Sequence, residues 1–293
     1  MKRLPIGITD FSEIIRGDYL YADKTELIYE MVTSFTPFYL GRPDGFGKTL
    51  LLSTLEAIFQ GRRDLFEGLW IADSDYDWLP RPFIRVNMAG LDTSDGNAFD
   101  KSLFSRFKAI AEPEGIKLEK RFIGFALEGL ARGLQKKYNS RVAIIIEEYN
   151  APGLNKITDN EVRRRIFGTL DHIYSIIKGM LSKDFFLITG PGEYDPESSG
   201  TYVLDLNDLT MQPDFLPILG FTTEEFDALF GDRLPATLTA LKAKGQLPPE
   251  ATELDLRQRI LSKAQRFDCY SDLAVLNSRS VLDLFHRETL DEF

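Results

Sequence analysis

The chain has few of the residues on which disulfide frameworks and zinc sites depend. Its 293 residues include one cysteine, Cys269, and two histidines, His172 and His286. A single cysteine excludes a disulfide within the chain, and together with two histidines it gives no zinc-ligand set by spacing. We interpret these three side chains as structural or surface residues and expect a reducing compartment.

Long apolar runs and an excess of basic charge are also missing. No stretch approaches the ~18 apolar residues of a membrane helix, and Met1-Lys2-Arg3 is not followed by the apolar segment of a secretory signal. The formal net charge is -10, from 35 Lys and Arg against 45 Asp and Glu. Nucleic-acid binding needs clustered positive charge, so we do not expect it through this chain alone. The expectation is a cytoplasmic protein without membrane contact.

A glycine-bearing turn that ends in Gly-Lys-Thr is the first sign of a chemistry. Residues 41–52 read GRPDGFGKTLLL, after the apolar stretch 38–40 and before a leucine-rich helical pattern. In a strand, loop and helix of this kind, several backbone N–H groups lack partners and can point at a polyphosphate. Lys48 would lie between the outer phosphates and Thr49 would ligate Mg²⁺. We predict a nucleoside triphosphate site formed by Arg42, Pro43, Asp44, Gly45, Phe46, Gly47, Lys48, Thr49 and Leu50.

The loop departs from the usual pattern GxxxxGK[ST], because Arg42 stands where the first glycine is required. An ordinary type I turn is the alternative interpretation, since Pro43 and Gly45 occupy positions that such a turn favours. A second element has to decide between the two.

An acidic pair follows a second apolar stretch and supplies that element. Residues 142–146 are five apolar residues, four of them β-branched, as in a strand buried on both faces of a parallel sheet. Ligands bind beyond the carboxyl ends of such strands, where Glu147 and Glu148 would emerge. We predict that Glu147 holds the metal through water, and that Glu148 acts with Lys48 in catalysis by polarising the attacking water. The alternative is a solvated acidic turn after a core strand.

These residues resemble the predicted AAA-ATPase-like family, bacterial proteins often fused to a PD-(D/E)XK nuclease-like domain. The family's loop usually reads SRPRRFGKS and also lacks the first glycine. The resemblance implies an α/β fold with a P-loop NTPase-type parallel sheet flanked by helices over residues 1–218, a smaller helical lid subdomain over residues 219–293, and ATP with Mg²⁺ as ligands. The matching segments are LPIGITDF at 4–11, YLYADKTELI at 19–28, YLGRPDGFGKTLLLSTL at 39–55, IIIEEYNAP at 144–152, FFLITG at 185–190, LDLNDLT at 204–210 and LGFTTEEF at 219–226.

The chain departs from the family at positions that bear on turnover. Glu147 and Asn150 stand where the family motif DEYD has aspartates, Asp44-Gly45 replaces a basic pair, and Glu193 stands where the motif GVSKFS has lysine. Glutamate is longer by about 1.5 Å, and a positional error of about 1 Å costs roughly a hundredfold in rate. We therefore expect weak ATP hydrolysis that drives a conformational change, and the alternative is an ATP-binding module without turnover. A P-loop kinase would need several lid arginines, and the arginines here are scattered.

The remaining patterns give secondary structure and further candidate residues. Thr189 ends a strand predicted at 185–189, where it would sense the outer phosphate, and the alternative is a hydroxyl that satisfies a strand-end backbone group. The basic cluster 163–165 is either a solvated helix face or an arginine finger for a neighbouring subunit. A strand is predicted at 83–86, and helices are predicted at 25–32, 50–59, 122–138, 161–180, 224–230 with Thr223 as N-cap, 235–244 and 254–267. Arg257, Arg259 and Arg266 are candidate lid arginines for the phosphates, and the alternative is that each is an ordinary surface arginine.

No Asp-x-Lys or Glu-x-Lys tripeptide occurs, although a PD-(D/E)XK site needs that spacing. We therefore expect the ATPase-like module without the nuclease-like part. The expected partners are ATP and a protein that the sequence does not identify, with a homo-oligomer left open.

Overall fold

A computed structural model describes residues 1–34, 36–119, 122–180, 185–195, 204–268 and 273–290. Cys269 lies outside the described residues. Within the described residues, no helix combines the length and the apolar character needed to cross a bilayer.

The centre of the molecule is a five-stranded parallel sheet in the order β2-β3-β4-β1-β5. The predicted strands at 38–40, 83–86, 142–146 and 185–189 are confirmed with shifts of one residue, and β5 was not predicted. Gly41 is in register with Gly190, and Asn87 with Glu147, so the carboxyl ends of the four long strands form one edge. The strands are β1 (Phe38–Gly41), β2 (Phe83–Asn87), β3 (Ala143–Glu147), β4 (Phe186–Gly190) and β5 (Asn207–Asp208).

Helices cover both faces of the sheet because the central strands are apolar on both sides. Ile144 and Ile146 pack into the core formed with α4, α5 and α6, whereas Ala143 and Ile145 pack into the core formed with α2 and α3. This two-sided burial confirms the predicted parallel sheet flanked by helices. The helices before residue 200 are α1 (Phe11–Arg16), α2 (Thr25–Thr33), α3 (Lys48–Phe59), α4 (Gly96–Ala111), α5 (Ile123–Tyr138) and α6 (Asn160–Met180).

The C-terminal part is mainly helical and has a hydrophobic core of its own, from Phe221 to Leu290. Two details of the prediction are wrong. The N-cap of α7 is Thr222, whose hydroxyl accepts from the amide of Glu225 in a capping box, rather than Thr223. The last predicted helix ends at Lys263, and its final residues form a strand instead. The elements are α7 (Thr223–Phe230), α8 (Leu234–Ala243), α9 (Glu253–Lys263), β6 (Arg266–Asp268), β7 (Ala274–Leu276), antiparallel to β6, and α10 (Ser278–Arg287).

The two parts of the chain are also joined through the short strand β7. Val275 packs into the core around α3, while its neighbour Leu276 packs into the C-terminal core. The division of the chain after residue 218 stays a prediction.

Gly41 gives a test of the packing at the edge where β1 and β4 end. A Cβ atom at this position would lie 1.7 Å from the carbonyl oxygen of Gly192. We expect Gly41→Ala to lower the free energy of unfolding by about 1–3 kcal/mol, since the backbone must shift to relieve the overlap.

Gly168→Ala is the control, because Gly168 lies in α6 with nothing within 4 Å of an added Cβ. That control should gain about 0.5–1 kcal/mol. Urea unfolding measures both, and a Gly41→Ala protein as stable as the parent would contradict the packing.

Candidate functional site

The predicted loop joins β1 to α3 through two glycines in the left-handed region. Gly45 has φ +88° and Gly47, the N-cap of α3, has φ +100°. Side chains with a Cβ are strained at such angles, so the sequence Gly-Phe-Gly allows a tight turn directly before the helix. The strand, loop and helix follow one another as the sequence predicts.

The backbone donors of this loop are available to a ligand. In the described part of the chain, the amide N–H groups of residues 45–50 have no hydrogen-bond acceptor. They come from the loop and the first turn of α3, where the helix dipole also favours negative charge. An anionic group is therefore the ligand that this end of the helix suits.

Lys48 brings the loop and the acidic strand end together. Its Nζ atom donates to the carbonyl oxygen of Arg42 at 2.6 Å and lies 3.6 Å from Oε1 of Glu148. Asp44 Oδ1 is 3.4 Å from the same amine. The amine is thus held among oxygens at the cavity wall, with its side chain only 7% exposed.

The two neighbouring glutamates face different surroundings. Glu148 has a left-handed backbone, with φ 53°, and lines a cavity with Lys48 and Thr49. Glu147 ends β3, and its Oε2 atom accepts from Nη2 of Arg85 at 2.9 Å. Strand geometry turns successive side chains to opposite sides, and the turn at Glu148 adds to this divergence. The predicted role of Glu147, holding the metal through water, stays a prediction, and in this structure Arg85 occupies one of its two carboxylate oxygens.

Arg85 links three elements beside the site. Its Nη1 atom donates to Glu56 of α3 at 3.0 Å while Nη2 binds Glu147 of β3. Burial by itself lowers the pKa of the Arg85 guanidinium, but the two carboxylates outweigh burial and raise that pKa above its ordinary value. Arg85 therefore stays charged and holds Glu147 firmly.

Arg42 is fully buried and binds the protein rather than the cavity. Its Nη1 atom donates to the carbonyl of Thr210 at 2.6 Å, and its guanidinium lies 4.0 Å from the ring centroid of Phe267. Residues 43–50 line the cavity, and Arg42 does not. The side chain of Arg42 therefore does not face the proposed ligand, and it fixes the loop to the segment after β5.

Thr189 is buried at the end of β4 and does not line the cavity. Its hydroxyl has no hydrogen-bond partner among the described residues. The alternative in which this hydroxyl satisfies a strand-end backbone group is therefore not what the structure shows. The sensing role stays a prediction.

The cavity itself has a volume of about 300 Å³, the lower end of the usual range for small-molecule sites. The loop and Glu148 form one wall. The N-terminal segments 5–9 and 20–24 form a second wall, and residues 218–221 and 278–283 close the third. Apolar side chains, among them Ile6, Ile8, Leu20 and Leu282, also line the cavity.

Arg279 is a cavity residue that sequence reasoning missed. It lies in the first turn of α10 and is exposed. None of the three arginines predicted for the lid, Arg257, Arg259 and Arg266, lines the cavity. Arg257 instead pairs with Asp227 at 2.6 Å, and Arg266 pairs with Asp268 at 3.4 Å. The signal available in the sequence was Asn277, a favoured N-cap residue that marks the start of α10 two positions before Arg279.

Lys24 and Glu225 form an ion pair that spans the cavity wall. Lys24 belongs to the N-terminal wall and Glu225 to α7. Burial lowers the pKa of Lys24, and Glu225 opposes this effect by favouring the charged amine. The pair connects the N-terminal segment to the C-terminal helices.

Together these features make a pocket with both polar and apolar lining. The loop amides without acceptors, Lys48 and Arg279 offer donors and positive charge, the carboxylates of Asp44, Glu148 and Asp283 line the same cavity, and apolar side chains complete its lining. Such a pocket suits a ligand that carries a multiply charged anion on a flat apolar body.

Comparison with known proteins agrees with this geometry. The family model described as "Predicted AAA-ATPase" matches residues 5–191, which include the N-terminal wall, the loop and both glutamates. A relative from Azotobacter chroococcum mcd 1, described as "Uncharacterized protein in vnfD 5'region", is 30% identical over 237 residues. The alignment covers 80% of this chain but only 46% of the relative, so the chain spans about half the length of that protein.

Arg42 yields a prediction about stability. Arg42→Lys keeps the charge but cannot reach the carbonyls of Thr210 and Leu216 together. We expect a loss of about 1–3 kcal/mol in the free energy of unfolding, the usual cost of leaving a buried carbonyl without a donor. Arg164→Lys, at an exposed position of α6, is the control and should change little. Denaturant titration measures both, and equal stabilities would show that Arg42 does not fix the loop.

Proposed function

This chain belongs to the predicted AAA-ATPase family, and we propose that it binds Mg²⁺-ATP in the cavity at the loop of residues 42–50 and hydrolyses it weakly to drive a conformational change. The observation that carries the proposal is the meeting of three features at one place: the amides without acceptors, the Lys48 amine and the Glu148 carboxylate. None of the three alone requires a nucleotide. Their combination in this family favours one.

The triphosphate would lie against the amides of residues 45–50, and its body would extend along the apolar wall. Lys48 would exchange the carbonyl of Arg42 for phosphate oxygens, which are charged acceptors and therefore stronger ones. Arg279 would add a second positive charge from α10. Both cations act by positioning and by offsetting charge on the transferred phosphoryl group.

Mg²⁺, when bound with the nucleotide, would supply charge neutralisation at the phosphates. Thr49 lines the cavity in the first turn of α3 and presents the hydroxyl that would hold the metal, with Glu147 as the second predicted ligand. Glu148 would accept a proton from the attacking water, because it lies beside Lys48 on the open side of the sheet edge. Thr189 would sense the outer phosphate from the end of β4.

We propose the second candidate, an ATP-binding module without turnover, on one specific observation. Arg85 binds Glu147 at 2.9 Å and draws this carboxylate toward β2 and α3. Asp44 and Glu193 add negative charge where the family resemblance implies positive charge. In this candidate the helices after residue 218 form a lid over the bound nucleotide, and a partner protein binds to that lid.

Loss of Lys48 should separate nucleotide binding from a general effect on stability. We expect Mg²⁺-ATP to raise the melting temperature of the parent protein and to leave that of Lys48→Ala unchanged, because the mutant lacks the cation that faces the phosphates. Lys101→Ala, at an exposed position of α4, should keep the full shift. A differential scanning fluorimetry series with ATP measures this. An equal shift in the Lys48 variant would count against the loop as the site.

Glu148→Gln should distinguish the two candidate functions. If the parent hydrolyses ATP, we expect this variant to keep its affinity and to lose about 10²–10⁴-fold in kcat, the usual effect of removing a general base. Glu161→Gln, an exposed change at the start of α6, is the control. Phosphate release and equilibrium binding are measured on the same preparations. A parent that binds ATP and releases no phosphate supports the module without turnover.

A further inference from the structure

The back of the loop is held by the C-terminal part of the chain. Three consecutive carbonyl oxygens, those of Asp44, Gly45 and Phe46, accept hydrogen bonds from residues more than 170 positions later. Asn277 Nδ2 donates to Asp44 at 2.9 Å, the amide of Arg279 donates to Gly45 at 2.9 Å, and the amide of Gly220 donates to Phe46 at 2.9 Å.

Asn277 lies at the centre of this contact and uses both ends of its side chain. Its Oδ1 atom accepts from the amide of Ser280 at 3.1 Å and so caps α10. Its Nδ2 atom donates to Asp44 and also to Oε1 of Gln265 at 2.8 Å. The residue is 2% exposed, so water does not replace a lost partner easily.

Steric fit adds to these hydrogen bonds. A Cβ atom at Gly45 would lie 2.6 Å from Oδ1 of Asn277, and the Phe46 ring packs edge-on against Phe267 at 6.2 Å between centroids. The glycine of the loop is therefore needed for the approach of Asn277 as well as for its own φ of +88°. The two segments are thus packed closely at this point.

We propose that Asn277 is a positioning residue for the nucleotide site: it holds the phosphate-binding loop and the start of α10 in one fixed arrangement, so that the loop amides and Arg279 face the same ligand. This inference rests on the proposed function. Asn277 contacts no ligand in this arrangement and acts through the carbonyl of Asp44.

Binding and the contact with α10 are then coupled in both directions. A ligand that fixes the loop also stabilises the contact with the donors behind it. Loss of those donors lowers the affinity for the ligand by the same factor by which the ligand stabilises the contact. ATP should accordingly protect the Arg279 amide from exchange in the parent protein.

Asn277→Asp tests the proposal with little change in shape. The aspartate keeps an oxygen for the amide of Ser280 and is itself a favourable N-cap. It places an oxygen opposite the carbonyl of Asp44 and Oε1 of Gln265, where the parent has a donor. We expect the dissociation constant for Mg²⁺-ATP to rise about tenfold or more, within the usual 5–150-fold range of site coupling.

The second readout needs no nucleotide. Hydrogen exchange of the Arg279 and Gly220 amides, followed by NMR in the protein alone, should be faster in Asn277→Asp than in the parent, because both amides donate to the loop. Failure of the parent to bind ATP would overturn the proposed function, while this exchange measurement still reports on the contact itself.

Thr252→Ala is the matched control, since Thr252 caps α9 in the same part of the chain through Asp255 and does not line the cavity. It should lower stability without changing ATP affinity or the exchange of Arg279. Asn277→Ser, which keeps a capping hydroxyl but is too short to reach Asp44, is the second variant if the aspartate variant does not fold. Parent-like affinity and parent-like exchange in a folded Asn277 variant would overturn the proposal.

Discussion

Six consecutive carbonyls of the loop, from Gly41 to Phe46, each accept a hydrogen bond. Arg42 donates to the first, Lys48 to the second and third, and donors after residue 219 to the last three. A loop that turns its amides toward a ligand necessarily turns many carbonyls away from it. Each buried carbonyl without a donor would cost about 1–3 kcal/mol. The side chains and segments around the loop therefore have to supply the donors.

This requirement explains why the basic residues of the loop are divided between two tasks. Arg42 is buried and binds the carbonyls of Gly41, Thr210 and Leu216, so its charge serves the fold. Lys48 binds carbonyls from the cavity side and lies next to Glu148. In the proposed function, movement of its amine to a phosphate would replace one set of oxygens by another, so the exchange would not leave a buried charge unpaired. Arg279 brings positive charge from a separate element.

The sequence predicted the strands and the helix start that depend on short-range patterns of residues. Apolar runs located the four long strands, and the Gly-Lys-Thr turn located the start of α3 within two residues. The sheet class followed from the β-branched run before Glu147, because such a run requires cover on both faces. Thr222 and the end of α9 were misassigned by a few residues, since capping and a following short strand depend on neighbours in space.

The rest of the site depends on contacts across long stretches of chain. Arg42 reaches Thr210 and Leu216, and Asn277 reaches Asp44, at separations of 168, 174 and 233 residues. No periodicity or spacing rule encodes these pairs. The different surroundings of Glu147 and Glu148 likewise depend on Arg85 in a neighbouring strand and on a left-handed backbone at one residue. Sequence could identify both carboxylates, but it could not tell which one would face the loop.

The same carbonyls constrain how the C-terminal helices can move. If α10 moved away and left the loop behind, Asp44 and Gly45 would both lose their donors, at about 1–3 kcal/mol for each. Movement of the loop and α10 together keeps those bonds and disturbs mainly the apolar contacts around them. The ion pair between Lys24 and Glu225 connects the opposite wall of the cavity to α7, so both walls are tied to C-terminal helices. A ligand that fills the cavity therefore contacts the loop and elements tied to these helices at the same time. In the proposed function, this shared contact is how nucleotide binding would change the arrangement of the C-terminal helices.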